Sequence, residues 1–410
     1  MGAFHAVAPM IRLEAGMISF GLEDEQQLVQ ETVRKFAAEE LRPRLREFER
    51  SGVDAALRRK FHELGLGLID VPEAYGGQGA SLTTAVIVHE ELAFGDPGAA
   101  VALMAPHLAA QAIMLLGDEA QKTRWLGRFA ASDGAERTGA LAWGERQAPL
   151  EGFGTTATRV DGGWSLSGNK AFVVNGGEAD LHVVFAQLAG TEGWDGIAAF
   201  VVEHGTAGLR AGDKHALLGL EAVPAREVIL DKCVVPDSHR LLGEAELIPR
   251  CERMFARWML FTAARQVGLA RAAYEFALNY TQERKAFGKQ VAHFQAIAFT
   301  LAEMAMDVDA ARWMVWRAAT ELDEGGWPST VAAAAHANEA AWRVADHGVQ
   351  LLGGAGYVKD YPVEKWLRDT KALALFAPPS EIAELALAGH ELGAPVGTGL
   401  PSTALQPFFT

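Results

Sequence analysis

Apolar residues recur at helical spacing along the first third of the chain. The segment "EDEQQLVQETVRKFAAEEL" (23–41) begins with acidic residues, which the helix dipole favours. The apolar positions assigned to one face of this helix are Leu28, Val33, Phe36, Ala37 and Leu41. Proline and paired glycines in "VPEAYGGQGAS" (71–81) predict a loop between helices. The pattern predicts an N-terminal helical domain over residues 17–135, preceded by a flexible extension over 1–16.

The spacing of apolar residues changes in the middle of the chain. There β-branched residues are dense, and apolar residues alternate with polar ones. Asp161, Gly162 and Gly163 form a hairpin signal between two such runs. The predicted strands are "TTATRV", "WSLSG", "AFVV", "LHVVFAQL", "IAAFVVE" and "REVILDKCVV". We therefore expect a separate β domain over residues 136–240.

Long helical patterns return after the β domain. In "FQAIAFTLAEMAMDVDAARWMVWRAATEL" (294–322), apolar residues follow steps of three and four, which is typical of an antiparallel bundle or a contact between subunits. The members of this seam are Phe294, Ile297, Leu301, Met304, Val308, Ala311 and Val315. The pattern predicts a C-terminal helical bundle over 241–396, and the Gly/Pro-rich residues 397–410 are expected to form a peripheral tail.

Composition narrows the classes of function. The net charge of −15, without a clustered basic segment, argues against nucleic-acid binding. Two cysteines, Cys233 and Cys251, are too few for a disulfide framework or a cysteine-rich zinc site. No run of eighteen apolar residues predicts a membrane span, and the first residues lack a secretory pattern. We expect a cytoplasmic protein that begins at Met1 or Met17, with no metal site.

Three motifs in order resemble the acyl-CoA dehydrogenase family, most closely its medium-chain, straight-chain type. They are "PEAYGGQGAS" (72–81), "YTQERKAFGKQVAHFQAIAFTLAEMA" (280–305) and "GVQLLGGAGYVKDYPVEKWLRDTK" (348–371). The resemblance covers residues 19–392. It implies an α+β fold with a helical domain, a β domain and a four-helix bundle, assembled as a dimer or tetramer. It also implies FAD, shared across a dimer interface, and removal of two hydrogens from an acyl-CoA thioester.

The resemblance assigns one group of residues to the FAD of a neighbouring subunit. Arg284 and Phe287 match the family's "R-x-x-F-G", and a guanidinium suits a pyrophosphate because it offers forked, charge-assisted hydrogen bonds. Ala286 departs from the hydroxyl residue usual there. The other matching positions are Gln295, Gln350, Leu351, Leu352, Gly353 and Gly354.

A second group would hold the flavin ring of the chain's own site, and here the match is poor. Counting back without gaps from "GNKAFVVNG", Leu141 and Phe172 remain suited to cover the ring. The family's threonine and serine fall on Ala142 and Ala148, and the hydroxyl of its "W-I-T-N-G" falls on Val174. Each lost donor ordinarily contributes about 0.5–1.5 kcal/mol.

The catalytic base is also absent from its expected positions. The family's glutamate aligns with Ala377 in "FAPPSEI", and the base position of branched-chain and long-chain members falls on Trp258. Glu381 is a weak substitute, since Ser380 and Glu381 suit the cap and first turn of a helix. The sequence therefore supplies no catalytic residue at either family position.

Three hypotheses follow. In the first, the chain is the base-lacking subunit of a hetero-oligomeric acyl-CoA dehydrogenase, with a second dehydrogenase-like subunit as partner and electron-transfer flavoprotein as acceptor. The second is a homo-oligomeric flavoenzyme with changed chemistry, such as hydroxylation or elimination on an acyl thioester, or with a base at an unrecognised position. The third is a binding protein without a cofactor. The sequence leaves the length and branching of the acyl group open.

Overall fold

The computed structural model describes residues 21–131, 133–146, 152–193, 196–241, 247–324, 326–376 and 380–393. For residues 247, 248, 380–383, 385 and 386 it describes the backbone only. Ala148, Ala377, the predicted extension over 1–16 and the tail over 397–410 lie outside the described residues.

Seven α-helices lie in the described residues of the N-terminal part, and side chains cap the starts of several of them. Asp54, Ser81, Asp96 and Asp118 each accept a backbone N–H group at the start of a helix. The helices are α1 (Asp24–Phe36), α2 (Leu45–Ser51), α3 (Ala55–Glu63), α4 (Leu82–Gly95), α5 (Pro97–Leu103), α6 (Ala105–Leu116) and α7 (Glu119–Ala130).

The predicted apolar face of α1 is confirmed at four positions and wrong at one. Val33, Phe36, Ala37 and Leu41 are buried, whereas Leu28 is 65% exposed. A step of five residues turns an α-helix by about 500°, so Leu28 lies about 140° away from Val33. The helix also continues into a π-helical turn over Ala37–Leu41, which keeps Ala37 and Leu41 buried together.

Eight strands form one sheet between the helical parts. They are β1 (Gly139–Ala142), β2 (Thr156–Val160), β3 (Gly163–Val174), β4 (Leu181–Leu188), β5 (Ile197–Glu203), β6 (Leu209–Lys214), β7 (Ala225–Pro236) and β8 (Arg240–Leu241). The order is β6-β7-β3-β2-β4-β5-β8, and β1 runs parallel to β4. The β2–β3 hairpin lies at the predicted glycines. Two segments predicted as separate strands, "WSLSG" and "AFVV", belong to the single strand β3, which has two irregularities in its pairing with β7.

The C-terminal part is a bundle of long helices. They are α8 (Leu247–Glu283), α9 (Gln295–Asp323), α10 (Pro328–Leu352), α11 (Val363–Ala374) and α12 (Ser380–Leu392), with a short hairpin of β9 (Lys285–Ala286) and β10 (Lys289–Gln290) after α8. The predicted α9 seam is buried from Leu301 to Val315, and its first members, Phe294 and Ile297, are half-buried. The order helical, β, helical confirms the predicted fold class.

Two further features bear on function. Within the described ranges, no single helix is long and apolar enough to cross a bilayer; the pair α5 and α6, bent by 45° at their junction, reaches that length and apolarity together. The described residues also contain no group of three or more His, Cys, Asp or Glu side chains that could hold a metal ion.

Candidate functional site

A narrow cavity of about 70 Å³ lies where the three parts of the chain meet. Helices α5, α6 and α8, strands β1 and β3 and the residues after α11 all contribute to its wall. The side chains that matter below are Val101, Met104, Leu141, Trp143, Phe172, Val174, Trp258, Arg265 and Phe376. No aspartate or glutamate is among the described residues that line this cavity.

Strand alternation decides which β1 residues face the cavity. Leu141 and Trp143 line it, whereas Ala142 packs on the other side of the sheet with Val184 and Phe200. The next position that lines the cavity is Gly144. The ungapped count placed the missing threonine at Ala142, which does not line the cavity, and Gly144, which does, likewise offers no hydroxyl.

Phe172 stands at one wall of the cavity in an unusual backbone conformation. Its φ of 56° falls at a bulge of β3, between Lys170 and Val173. The ring stacks on His215 at 4.4 Å between centroids, and the Phe172 N–H donates to His215 Nε2 at 3.1 Å. Burial, and secondarily the charge of Arg146, lower the pKa of His215. Phe172 therefore presents an aromatic surface fixed by a neutral imidazole.

A buried ion pair, which sequence reasoning missed, anchors the loop after β1. Glu145 accepts hydrogen bonds from the N–H groups of Gly154 (2.7 Å) and Thr155 (3.0 Å) and from Lys170 Nζ (2.6 Å). Lys170 also donates to the Trp143 carbonyl at 3.0 Å, and burial lowers its pKa to about 8. Because these donors occupy the Glu145 carboxylate, it fixes the loop and is not a free base.

The expected base positions supply no carboxylate to the cavity. Ala377 lies outside the described residues, and alanine carries no acid in any case. Trp258 lines the cavity with its ring stacked on Phe255, at 5.9 Å between centroids. The backbone of Glu381 lies in the first turn of α12, and its side chain is outside the described set.

The residues that the resemblance assigns to a neighbouring subunit's FAD lie at one end of the bundle. There α8 ends, α9 begins and α10 ends, and this brings Arg284, Gln295 and Gln350 to the same end of the bundle. All three are exposed, and the Arg284 guanidinium has no ion pair or hydrogen bond within the described part of the chain. Phe287 is 96% exposed with a φ of 51°.

The glycines at this end leave room for another molecule, while the leucines before them do not reach it. A Cβ on Gly353 or Gly354 would meet nothing within 4 Å. Leu351 and Leu352 are buried in the bundle core, so their side chains serve packing. Along α8, Arg284 lies nineteen residues from Arg265, or about 28 Å at helical rise. This exposed end is therefore remote from the chain's own cavity.

The two regions fit different parts of a flavin dinucleotide. The exposed end offers an unpaired guanidinium and open glycine backbone, which suit a pyrophosphate. The cavity offers the flat apolar surfaces of Leu141, Phe172 and Val174, which suit a ring, but no hydroxyl side chain for its polar edge among the described lining residues.

Comparison with known proteins gives one family along almost the whole chain. Family models described as the N-terminal, middle and C-terminal domains of acyl-CoA dehydrogenase match residues 23–133, 140–233 and 253–391. An acyl-CoA dehydrogenase of Bacillus subtilis is 34% identical over 376 residues, which cover 90% of this chain and 98% of that protein.

Solved structures of similar proteins belong to the same family. Butyryl-CoA dehydrogenase from Megasphaera elsdenii superimposes with a TM-score of 0.85 at 31% identity, covering 92% of this chain and 100% of that one. A glutaryl-CoA dehydrogenase from Mycobacterium smegmatis in complex with FADH2 gives a TM-score of 0.84 at 25% identity, covering 92% and 96%.

Proposed function

This chain belongs to the acyl-CoA dehydrogenase family, whose members bind FAD, and we propose that it is the base-lacking subunit of a hetero-oligomeric acyl-CoA dehydrogenase. In that assembly a sister chain supplies the ring-binding loop and the catalytic glutamate. This chain supplies Arg284 and the neighbouring bundle end to the sister's FAD. The reaction is FAD-linked α,β-dehydrogenation of an acyl-CoA thioester, and electron-transfer flavoprotein accepts the electrons.

The observation that supports the proposal is the contrast between the cavity, which lacks a base, and the exposed end of the bundle, which offers an unpaired guanidinium. Removal of a weakly acidic α-proton requires a base within hydrogen-bond reach of it, and the described cavity wall contains no carboxylate. The group suited to a pyrophosphate is instead exposed about 28 Å away, where a second subunit can meet it. A chain that helps to bind its neighbour's FAD needs the exposed guanidinium, and it does not need a carboxylate in its own cavity.

An exposed apolar stripe on α9 supports assembly with other subunits. Phe299, Met306 and Trp313 are exposed at intervals of seven residues, so they lie along one side of the helix. Seven-residue spacing of large apolar side chains is typical of helix–helix contacts. We propose that this α9 stripe packs against another subunit of a dimer or tetramer.

A second candidate function is a homo-oligomeric flavoenzyme with changed chemistry. The observation in its favour is that the chain keeps a cavity with aromatic and apolar walls, including Phe172 held in a strained conformation. Such an enzyme would act on an acyl thioester by a reaction that does not need the missing glutamate.

The test is to purify the chain alone and after co-expression with acyl-CoA dehydrogenase chains of the same organism that retain the glutamate. Flavin absorbance and acyl-CoA oxidation with an artificial electron acceptor are measured for both preparations. The proposal expects a colourless, inactive chain alone and a yellow, active complex. Stoichiometric FAD and dehydrogenase activity in the chain alone would contradict it and favour the second candidate.

Variants assign the roles within the complex. Arg284→Ala is expected to lower FAD retention about tenfold or more, because a charge-assisted contact to a phosphate is lost. Arg317→Ala, an exposed arginine on α9 paired with Glu321, is the matched control. Ala377→Glu should leave the chain alone inactive, since the ring-facing hydroxyl groups are also missing. Normal flavin content in the Arg284 variant would sink the assignment of that residue.

A further inference from the structure

Arg265 is a buried cation without a partner. Its side chain is 7% exposed and lines the cavity from α8. It makes no hydrogen bond or ion pair within the described part of the chain, and its Nε is enclosed without an acceptor. Burial lowers the pKa of Arg265 to about 10, which leaves the guanidinium charged at neutral pH.

The lack of a carboxylate partner sets Arg265 apart from the other buried lysines and arginines. Lys170, Arg271 and Lys365 are equally enclosed, and each has at least one carboxylate oxygen within 2.8 Å. A buried charge ordinarily needs such a partner, because its loss of hydration is not otherwise offset. Among the buried lysines and arginines that the structure describes, only Arg265 lacks a carboxylate partner, although the chain as a whole is acidic. Its partner is therefore to be sought in the cavity that it faces.

The surroundings of Arg265 favour a ligand with an apolar body and an anionic end. Trp258 lines the same cavity seven residues earlier on α8, about two turns or 10 Å away. Val101 and Met104 supply apolar wall between α5 and α6. Near Arg265, His89 is fully buried, and burial together with the charge of Arg265 lowers its pKa, so this imidazole is neutral and does not offset the guanidinium charge.

We propose that Arg265 binds a carboxylate at the far end of the acyl group, so that the cavity of this chain selects acyl-CoA thioesters that end in a carboxylate. The planar guanidinium fork matches a carboxylate with two parallel hydrogen bonds, and the low dielectric of the cavity strengthens the contact. This goes beyond the proposed function, since it concerns the chain's own cavity and not the FAD of a neighbour.

Paired probes test the proposal. Glutaryl-, adipyl- and suberyl-CoA are titrated into the purified protein against pentanoyl-, hexanoyl- and octanoyl-CoA, which have the same chain lengths without the second carboxylate. Calorimetry gives the affinities, and the fluorescence of Trp143 and Trp258, which line the cavity, reports local binding. At least one dicarboxylic thioester is expected to bind about 10- to 100-fold more tightly than its pair.

Two variants separate recognition from folding. Arg265→Gln should abolish the preference for dicarboxylic thioesters while leaving the affinity for thioesters without the second carboxylate unchanged. Arg265→Lys should keep part of the preference. Without ligand, Arg265→Gln is expected to melt no lower than the parent protein, since an unpaired buried charge is removed.

Equal affinities within all three pairs would overturn the proposal. So would an equal loss of affinity for both members of a pair in Arg265→Gln, which would assign Arg265 to the fold or the cofactor. These outcomes are independent of the flavin and activity measurements that test the subunit's role in the complex.

Discussion

At the scale of single residues, burial sets the charge of two histidines. His182 is buried on β4, and its Nε2 accepts the Gly177 N–H at 2.9 Å, which requires a neutral ring. Burial lowers the pKa of His182 to about 4 and that of His89 well below its ordinary value. Both side chains regain an ordinary pKa near 6.5 in the unfolded chain.

Acid should therefore destabilise the protein through these two histidines. Between about pH 6.5 and pH 4 the unfolded state binds more protons than the folded state, so the free energy of unfolding falls as pH falls. In that window His182 contributes about 1.4 kcal/mol per pH unit, and the lowered pKa of His89 acts in the same direction. Urea midpoints across the window measure the slope.

The variant His182→Gln should remove the contribution of His182 to the pH dependence of the free energy of unfolding, because glutamine does not titrate. The amide oxygen can still accept the Gly177 N–H, so the local structure should be kept. The exposed His293→Gln is the matched control and should keep the parent slope. An unchanged slope in the His182 variant would count against the neutral, buried imidazole.

At the scale of elements, one lysine on α11 joins three parts of the chain. Lys365 Nζ donates to Asp96 at the start of α5 and to Asp369 on α11, both at 2.6 Å. Asp369 in turn accepts the N–H of Leu220 from the β domain at 2.7 Å. The segment "VEKWLRDTK", which contributes to the family resemblance, thus serves the domain junction beside the cavity.

Lys365→Met should be strongly destabilising, because it leaves two buried carboxylates without their cation. The free energy of unfolding in urea is expected to fall by about 3–5 kcal/mol. Arg317→Met, which breaks an exposed pair with Glu321, should cost less than about 1 kcal/mol.

Neutralising the acids tests the cause. Adding Asp96→Asn and Asp369→Asn to Lys365→Met should recover part of the loss, since asparagine keeps the cap at α5. A loss below about 1 kcal/mol in Lys365→Met alone would show that this network does not hold the domains together.

At the scale of the whole molecule, the two tasks that we propose for this chain fall on two separate regions, the cavity and the exposed bundle end. The cavity lies at the meeting of the three parts, and the bundle end projects Arg284 and Phe287 outward. The α9 stripe lies on the helix that begins at this end. Assembly would cover these apolar side chains and place the guanidinium against a neighbour.

Met306→Glu should weaken that assembly. Met306 is 63% exposed at the middle of the α9 stripe, and a carboxylate there would be desolvated in a subunit contact. If the proposed assembly forms, sedimentation is expected to show smaller species for this variant than for the parent protein at the same concentration. Lys35→Glu, an exposed change on α1, is the control. Identical sedimentation of the Met306 variant would place the subunit contact elsewhere.

Local pattern was sufficient for much of the fold. β4 and β5 coincide with the predicted segments "LHVVFAQL" and "IAAFVVE", since dense apolar and β-branched runs bounded by turns specify strands. The α9 seam followed from its period in the same way. The absence of a glutamate at either base position was also decided by the sequence, because a missing functional group needs no coordinates to be recognised.

What only the tertiary structure decided involves residues far apart in the chain. Leu141 and Trp143 line the cavity and Ala142 does not, which a count along the sequence cannot detect. Glu145 meets Lys170 because the loop after β1 packs against β3, and Arg265 meets no carboxylate among the described residues because of how the three parts of the chain pack. Pairing of buried charges is a property of spatial neighbours, so the sequence determined which groups are available and the fold determined which of them stay unpaired.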